Sequence, residues 1–208
     1  MKIGVNFQDL KEVEKKILKG IKLENTFSVV KTIVAFDITY IEKKYHCVAV
    51  VWDLDKGEEI EMKEVSGDEV LNYSPSLVAF REGPVILESY RNLENKPDLL
   101  IVKGNGFINP RKVGLASYVG FMLNKPCIGV VKDLLYGRLD EDKIVFENVV
   151  RGKAIRTKEF ANPIYVIPGF GIDLEKSVEI VSKLIHENYK MPIPLHLAHK
   201  YLNKIKKA

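Results

Sequence analysis

The sequence predicts an α/β fold, a mixed sheet flanked by helices within a single domain over residues 1–208. Three observations carry that expectation. Residues 32–40 and 45–54 are runs rich in β-branched and aromatic side chains, and the turn Asp55-Lys-Gly-Glu58 leads into a third run, 59–65, so an antiparallel meander comes first. Short apolar runs at 99–102 and 127–131 then alternate with segments of helical spacing, which builds a sheet covered by helices. No repeat, low-complexity block or Pro/Gly/Ser-rich linker divides the chain, and 208 residues suit one continuous core.

Taken in order, residues 7–20 place Leu10, Val13, Ile17 and Leu18 on one helical face. The stretch 73–82 reads as an extended apolar run ending in Arg81-Glu82, and Pro84 suits the first turn of a helix reaching about residue 93. Pro97-Asp98 introduces the strand 99–102. After the loop Gly104-Asn-Gly106, a helix over 113–123 carries Gly114, Ala116, Ser117 and Gly120, small residues that permit close packing. Residues 144–150 and 163–167 read as strands, 138–148 as a hairpin, and 174–188 as an amphipathic helix. The last ten residues, ending Lys204-Ile-Lys-Lys-Ala208, read as a solvated basic tail.

Composition narrows the function classes. With 46% hydrophobic and 29% charged residues the chain is not of the disordered type. Net charge is +4, a mild basic bias compatible with a polyanionic partner. The opening Met1 to Gln8 is too polar for a signal peptide, and no apolar run approaches the roughly 20 residues that span a bilayer, so no membrane is expected. Cys47 and Cys127 sit inside apolar runs without zinc spacing and read as inert buried thiols of a reducing cytoplasm. Gln8 is the only glutamine amid abundant Lys and Glu, a usage that points to a thermophilic source.

Chemistry gathers at strand ends. Asp37 follows an uncharged run, a costly position for a carboxylate unless it is paired or metal-bound, although an isolated Asp there also reads as a cap or turn. Metal-assisted phosphodiester hydrolysis needs carboxylates converging from separate elements, and Glu82 supplies a second one. Lys103 brings an ammonium to the end of another apolar run.

Three blocks occur in order: Asp37-Ile-Thr-Tyr40, Tyr73-Ser-Pro-Ser-Leu-Val-Ala-Phe-Arg-Glu82, and the segment from Lys103-Gly-Asn-Gly106 to Ser117. Together with Ile128-Gly-Val-Val-Lys-Asp133, Ile155-Arg-Thr-Lys158, Tyr165-Val-Ile-Pro-Gly169 and Pro192 to His199, they make the chain resemble the endonuclease V family over nearly its whole length. The resemblance implies a ribonuclease-H-like fold and a DNA repair activity. That activity is magnesium- or manganese-dependent hydrolysis of a phosphodiester 3′ to a hypoxanthine (deoxyinosine) lesion in DNA, with inosine-containing RNA as another substrate; separately, the chain is expected to be a cytoplasmic monomer. It assigns Asp37 and Glu82 to the metal and Lys132 to the scissile phosphate, these three being the catalytic set. Tyr73 becomes a wedge into the duplex, and Arg81, Gly104, Asn105, Gly106 and Arg111 face nucleic acid. A flat wedge holds the stack while a damaged base is outside it, and glycines let backbone amides approach that base. His199 matches a family position in the C-terminal segment, where a capping or surface role is the default.

The resemblance breaks on chemistry. The family has an aspartate, its third metal ligand, where this chain has Lys103, and histidines where it has Asn105, Asn109 and Phe170. Lys103 is expected to form salt bridges with Asp37 and Glu82 in the metal's place. It has two other courses, swinging outward or losing its proton, and Asp133 is a candidate replacement carboxylate. Two functions follow: a metal-dependent endonuclease, or a catalytically silent homologue that binds nucleic acid without cutting and needs no cofactor. A retained fold serving a different partner is the third.

Overall fold

The computed structural model describes residues 7–69 and 71–207. Helix α1 (Phe7–Gly20) precedes the meander β1 (Thr32–Ile41), β2 (Lys44–Asp53) and β3 (Glu58–Asp68). A 3-10 turn, Pro75–Leu77, opens into α2 (Val78–Arg91), followed by β4 (Leu99–Val102), α3 (Leu115–Leu123) and β5 (Cys127–Val131). Four antiparallel strands come next, β6 (Arg138–Asp140), β7 (Lys143–Phe146), β8 (Val149–Ile155) and β9 (Ile164–Phe170), and then α4 (Leu174–Lys183) and α5 (Ile193–Ile205). The nine strands form one mixed sheet in the order β3-β2-β1-β4-β5-β9-β8-β7-β6. Among the described strand pairs only β1–β4 and β4–β5 are parallel.

Those three strands lie under helices on both faces, which is why their buried stretches carry no charge before Asp37 at the end of the one in β1. Alternation along each strand sorts the side chains into two layers. Val34, Phe36, Leu100 and Val102 pack with Ile86 of α2 and Leu115 of α3. Ile33, Ala35, Leu99 and Ile101 face the opposite layer with Ile180 of α4 and Leu195 of α5. In the parallel register Phe36 pairs with Val102. One step further along both strands stand Asp37 and Lys103, and the same alternation turns both toward the α4/α5 layer. Their encounter is thus set by strand register.

Five expectations are corrected. Residues 73–82 are not extended, because Pro75 starts a 3-10 turn and Val78 begins α2, so Glu82 comes from a helix rather than a strand end. Pro84 lies inside α2 instead of in its first turn; the helix runs through it at the loss of one backbone donor. The strand expected at 144–150 is two strands, turned by Glu147 and Asn148 with φ of 51° and 61°. The helix expected to 188 stops at Lys183, and the supposed basic tail is largely α5, whose Ala198 and Leu202 pack on Val48 and Val50 of β2. Cys47 and Cys127 are buried and free, as expected. Among the described residues no helix is long and apolar enough to cross a membrane.

Candidate functional site

Asp37 is 4% exposed, and both its carboxylate oxygens are engaged. Oδ1 accepts from Lys103 Nζ at 3.2 Å and from the Ile38 amide at 3.1 Å. Oδ2 lies 2.7 Å from Nδ1 of His199, which α5 carries across the sheet end. A buried carboxylate is stable only when its desolvation is offset in this way. Glu82 approaches from α2 and lines one cavity with Asp37 and Lys103. Burial pushes its carboxyl up to about 7; the Arg81 guanidinium and the Lys103 amine oppose that, and the charge of Asp37 adds to it. Lys103 therefore pairs with one of the two expected acids. Glu82 senses its charge without a salt bridge to it.

Three adjoining cavities meet at Lys103. The acidic one holds Asp37 and Glu82. A second, cationic one is lined by Asp37, Lys103, Lys132, Lys190, His196 and His199. The third contains Tyr73, Lys103, Gly104, Asn105, Asn109 and Asp133. Lys132 and Asp133, adjacent in sequence, thus serve different cavities. Asp133 lines the one with Tyr73 and not the acidic one.

The loop bearing Lys103 is fixed by close backbone packing. A Cβ on Gly106 would lie 2.3 Å from the Pro168 carbonyl oxygen of β9, and one on Gly129 would lie 2.2 Å from the Gly104 carbonyl oxygen. The Gly114 and Ala116 amides at the start of α3 donate to Gly106 and Asn105 at 2.9 and 3.0 Å. Internal packing thus explains these glycines without a ligand.

Tyr73 is 63% exposed, an open ring at the rim. Arg81 lies beneath it, 5.5 Å from its ring centroid and 3.6 Å from that of Tyr40, and it also pairs with Glu69. Its side chain is only 9% exposed, so it supports Tyr73 rather than offering a free cation to solvent. Arg111 pairs with Glu14 of α1 and ties that helix to the glycine loop.

A divalent ion needs several oxygen ligands converging on it. Here Oδ1 of Asp37 faces an ammonium and Oδ2 an imidazole, and among the described residues no group of three or more Asp, Glu, His or Cys side chains is placed to hold a metal. As arranged, the site fits the lysine cation and not a metal ion.

Sequence reasoning missed the direct role of His199 beside Asp37. The available signal was helical: Pro192 and Pro194 mark a helix start, and Leu195, Ala198 and Leu202 form an apolar face that leaves His199 toward the sheet end.

Comparison with known proteins agrees with the geometry. The family model described as Endonuclease V matches residues 15–200. Endonuclease V of Dictyoglomus thermophilum is 37% identical over 202 residues, covering 93% of this chain and 86% of that protein. The crystal structure of endonuclease V from Bacillus subtilis superposes with a TM-score of 0.88 at 28% identity, covering 100% of this chain and 94% of that one. Ciona intestinalis endonuclease V, solved with a 24mer DNA containing an inosine followed by a ribo-adenosine, shares the fold at a TM-score of 0.82 and 24% identity, with 97% of each chain covered. Family model and relatives agree: the chain belongs to the endonuclease V family.

Proposed function

We propose that this chain is a monomeric, cytoplasmic protein that recognises nucleic acid carrying a deaminated purine, and that Lys103 closes its phosphodiester centre to divalent ions. The observation that carries the reading is the Lys103 amine 3.2 Å from Oδ1 of Asp37. The cavity arrangement supports it. Tyr73 stands exposed on a pocket walled by Pro75, Val78, Leu115 and Leu135 with the amide side chains of Asn105 and Asn109, suited to hold a base turned out of the stack while the ring fills the gap. Lys132 lines the cationic cavity next to the acids, where a phosphate would lie. The inosine-bearing DNA held by the Ciona relative supports hypoxanthine as the base recognised.

Affinity for deoxyinosine-containing and ordinary duplexes, measured in chelator and then in magnesium or manganese, tests this. Expected are a preference for inosine that persists in chelator, no nicking by the wild type, and nicking gained by Lys103→Asp. RNA with one inosine, run in parallel, ranks the two substrates. Equal affinity for inosine and ordinary strands would refute the recognition claim.

A second reading, metal-dependent hydrolysis by the wild type, is favoured by Glu82. Its acid is left under-neutralised, and the Lys103 side chain is 43% exposed, free to carry its amine away on a flexible stem. Nicking by the wild type that Glu82→Ala abolishes would establish that reading and overturn the closed centre.

A further inference from the structure

Helix α5 differs in charge pattern from the other exposed helices. α1 interleaves Asp9, Glu12 and Glu14 with its lysines, and α4 sets Glu175 and Glu179 among its own. From Ile193 to Lys207 there is no acidic residue at all. His196, His199, Lys200, Asn203, Lys204 and Lys207 line one open groove along this segment. Their spacing of three and four residues places them on a single helical face. His196 and His199 also line the cationic cavity beside Asp37, so groove and cavity are continuous.

The common explanation for such lysines is a solvated face complementing the negative end of the helix dipole. Two features exceed it. No salt bridge neutralises Lys132, Lys190, Lys200, Lys204 or Lys207 among the described residues; lysines of α1 and of the β1–β2 turn also lack one, but these five are gathered along one cavity and the groove that continues it. The cations also crowd one another: burial, Lys200, His199, Lys132 and Lys158 all lower the proton affinity of His196. Like charges kept together at a cost to one another suit a polyanion that releases its counterions on binding.

We infer that the α5 face is a phosphate track carrying the nucleic-acid backbone away from the site at Asp37, with Lys200, Lys204 and Lys207 as its sequence-independent cations. From His196 to Lys204 the helix rises about 12 Å, the axial length of three to four base pairs. The inference rests on the proposed recognition of a deaminated purine and extends it to the flanking strand.

The test compares the wild type with the triple variant Lys200→Gln/Lys204→Gln/Lys207→Gln. A control of equal charge, Lys56→Gln/Lys176→Gln/Lys183→Gln, alters lysines outside the groove. Binding of inosine-containing and ordinary duplexes is measured across a salt series, after unfolding midpoints confirm that all three proteins fold. The slope of log affinity against log salt is expected to flatten by about 0.9 for each phosphate that is no longer neutralised, up to about 2.7, in the track variant only. Both duplexes should weaken by the same factor, leaving the inosine preference intact. An unchanged slope, or equal flattening in the control, overturns the track. A flattened slope without inosine preference in the wild type keeps the track and removes base recognition. No binding by the wild type removes both.

Discussion

Removing the charge of Lys103 should create a metal site where the wild type has none. Lys103 Nζ sits 3.2 Å from Oδ1 of Asp37, the oxygen a magnesium ion would have to share. At about 4 Å from that amine a doubly charged ion is repelled by about 8 kcal/mol for an effective dielectric near 20, and by about 2 kcal/mol under the screening of bulk water. The side chain is 43% exposed, so the screened figure applies. It still corresponds to about 30-fold in affinity. Lys103→Met keeps the stem and loses the charge; Lys103→Asp adds a carboxylate beside Asp37 and Glu82. Calorimetric titration with magnesium should therefore give affinity rising from wild type to Lys103→Met by at least about 30-fold, and further in Lys103→Asp. In the absence of metal the Met variant should be slightly less stable, since Asp37 keeps only His199 and one amide as partners. Equal magnesium affinity in the wild type and Lys103→Met would refute the claim that the amine holds the metal's place.

Three other outcomes are expected. Glu82, raised to about 7 in the fold, binds its proton more tightly folded than unfolded, so its contribution to stability is complete below the ordinary glutamate range and is lost as pH rises through about 7. Relative to Glu82→Gln, the wild type should lose up to about 3 kcal/mol between pH 4.5 and 8 in urea denaturation, and a pH-independent difference would contradict this. Gly106→Ala, whose Cβ would stand 2.3 Å from the Pro168 carbonyl oxygen, should cost about 3 kcal/mol, read as a lower denaturant midpoint. Burial pushes the Cys47 thiol up to about 12 and Cys127 higher still, so a disulfide reagent should label neither until the protein is unfolded; rapid labelling in native buffer would refute that.

The central sheet was legible because its code is local. Uncharged β-branched runs ending at Phe36, Val102 and Val131 can only be strands covered on both faces, and they mark Asp37 and Lys103 as strand-end residues. The start of α2 was obscured by Pro84, which argues against a continuous helix, although Ala79, Gly83, Ile86 and Tyr90 already repeat at helical spacing. The meeting of Asp37 with Lys103 was anticipated from the family pattern, and strand register supplies the physical reason. His199 could not be paired with Asp37 from local signals: 162 positions separate them, and only the packing of α5 against β1 and β2 joins them.

That separation has a consequence for biosynthesis. A ribosome completes the meander early, yet the acid at its heart waits for an imidazole encoded some 160 codons later. Until α5 emerges and docks, Val48 and Val50 lack their apolar cover and the acid lacks one of its two side-chain partners. Maturation of the centre is therefore tied to a helix translated long after the meander, and any fragment truncated ahead of it should fold around an incomplete heart.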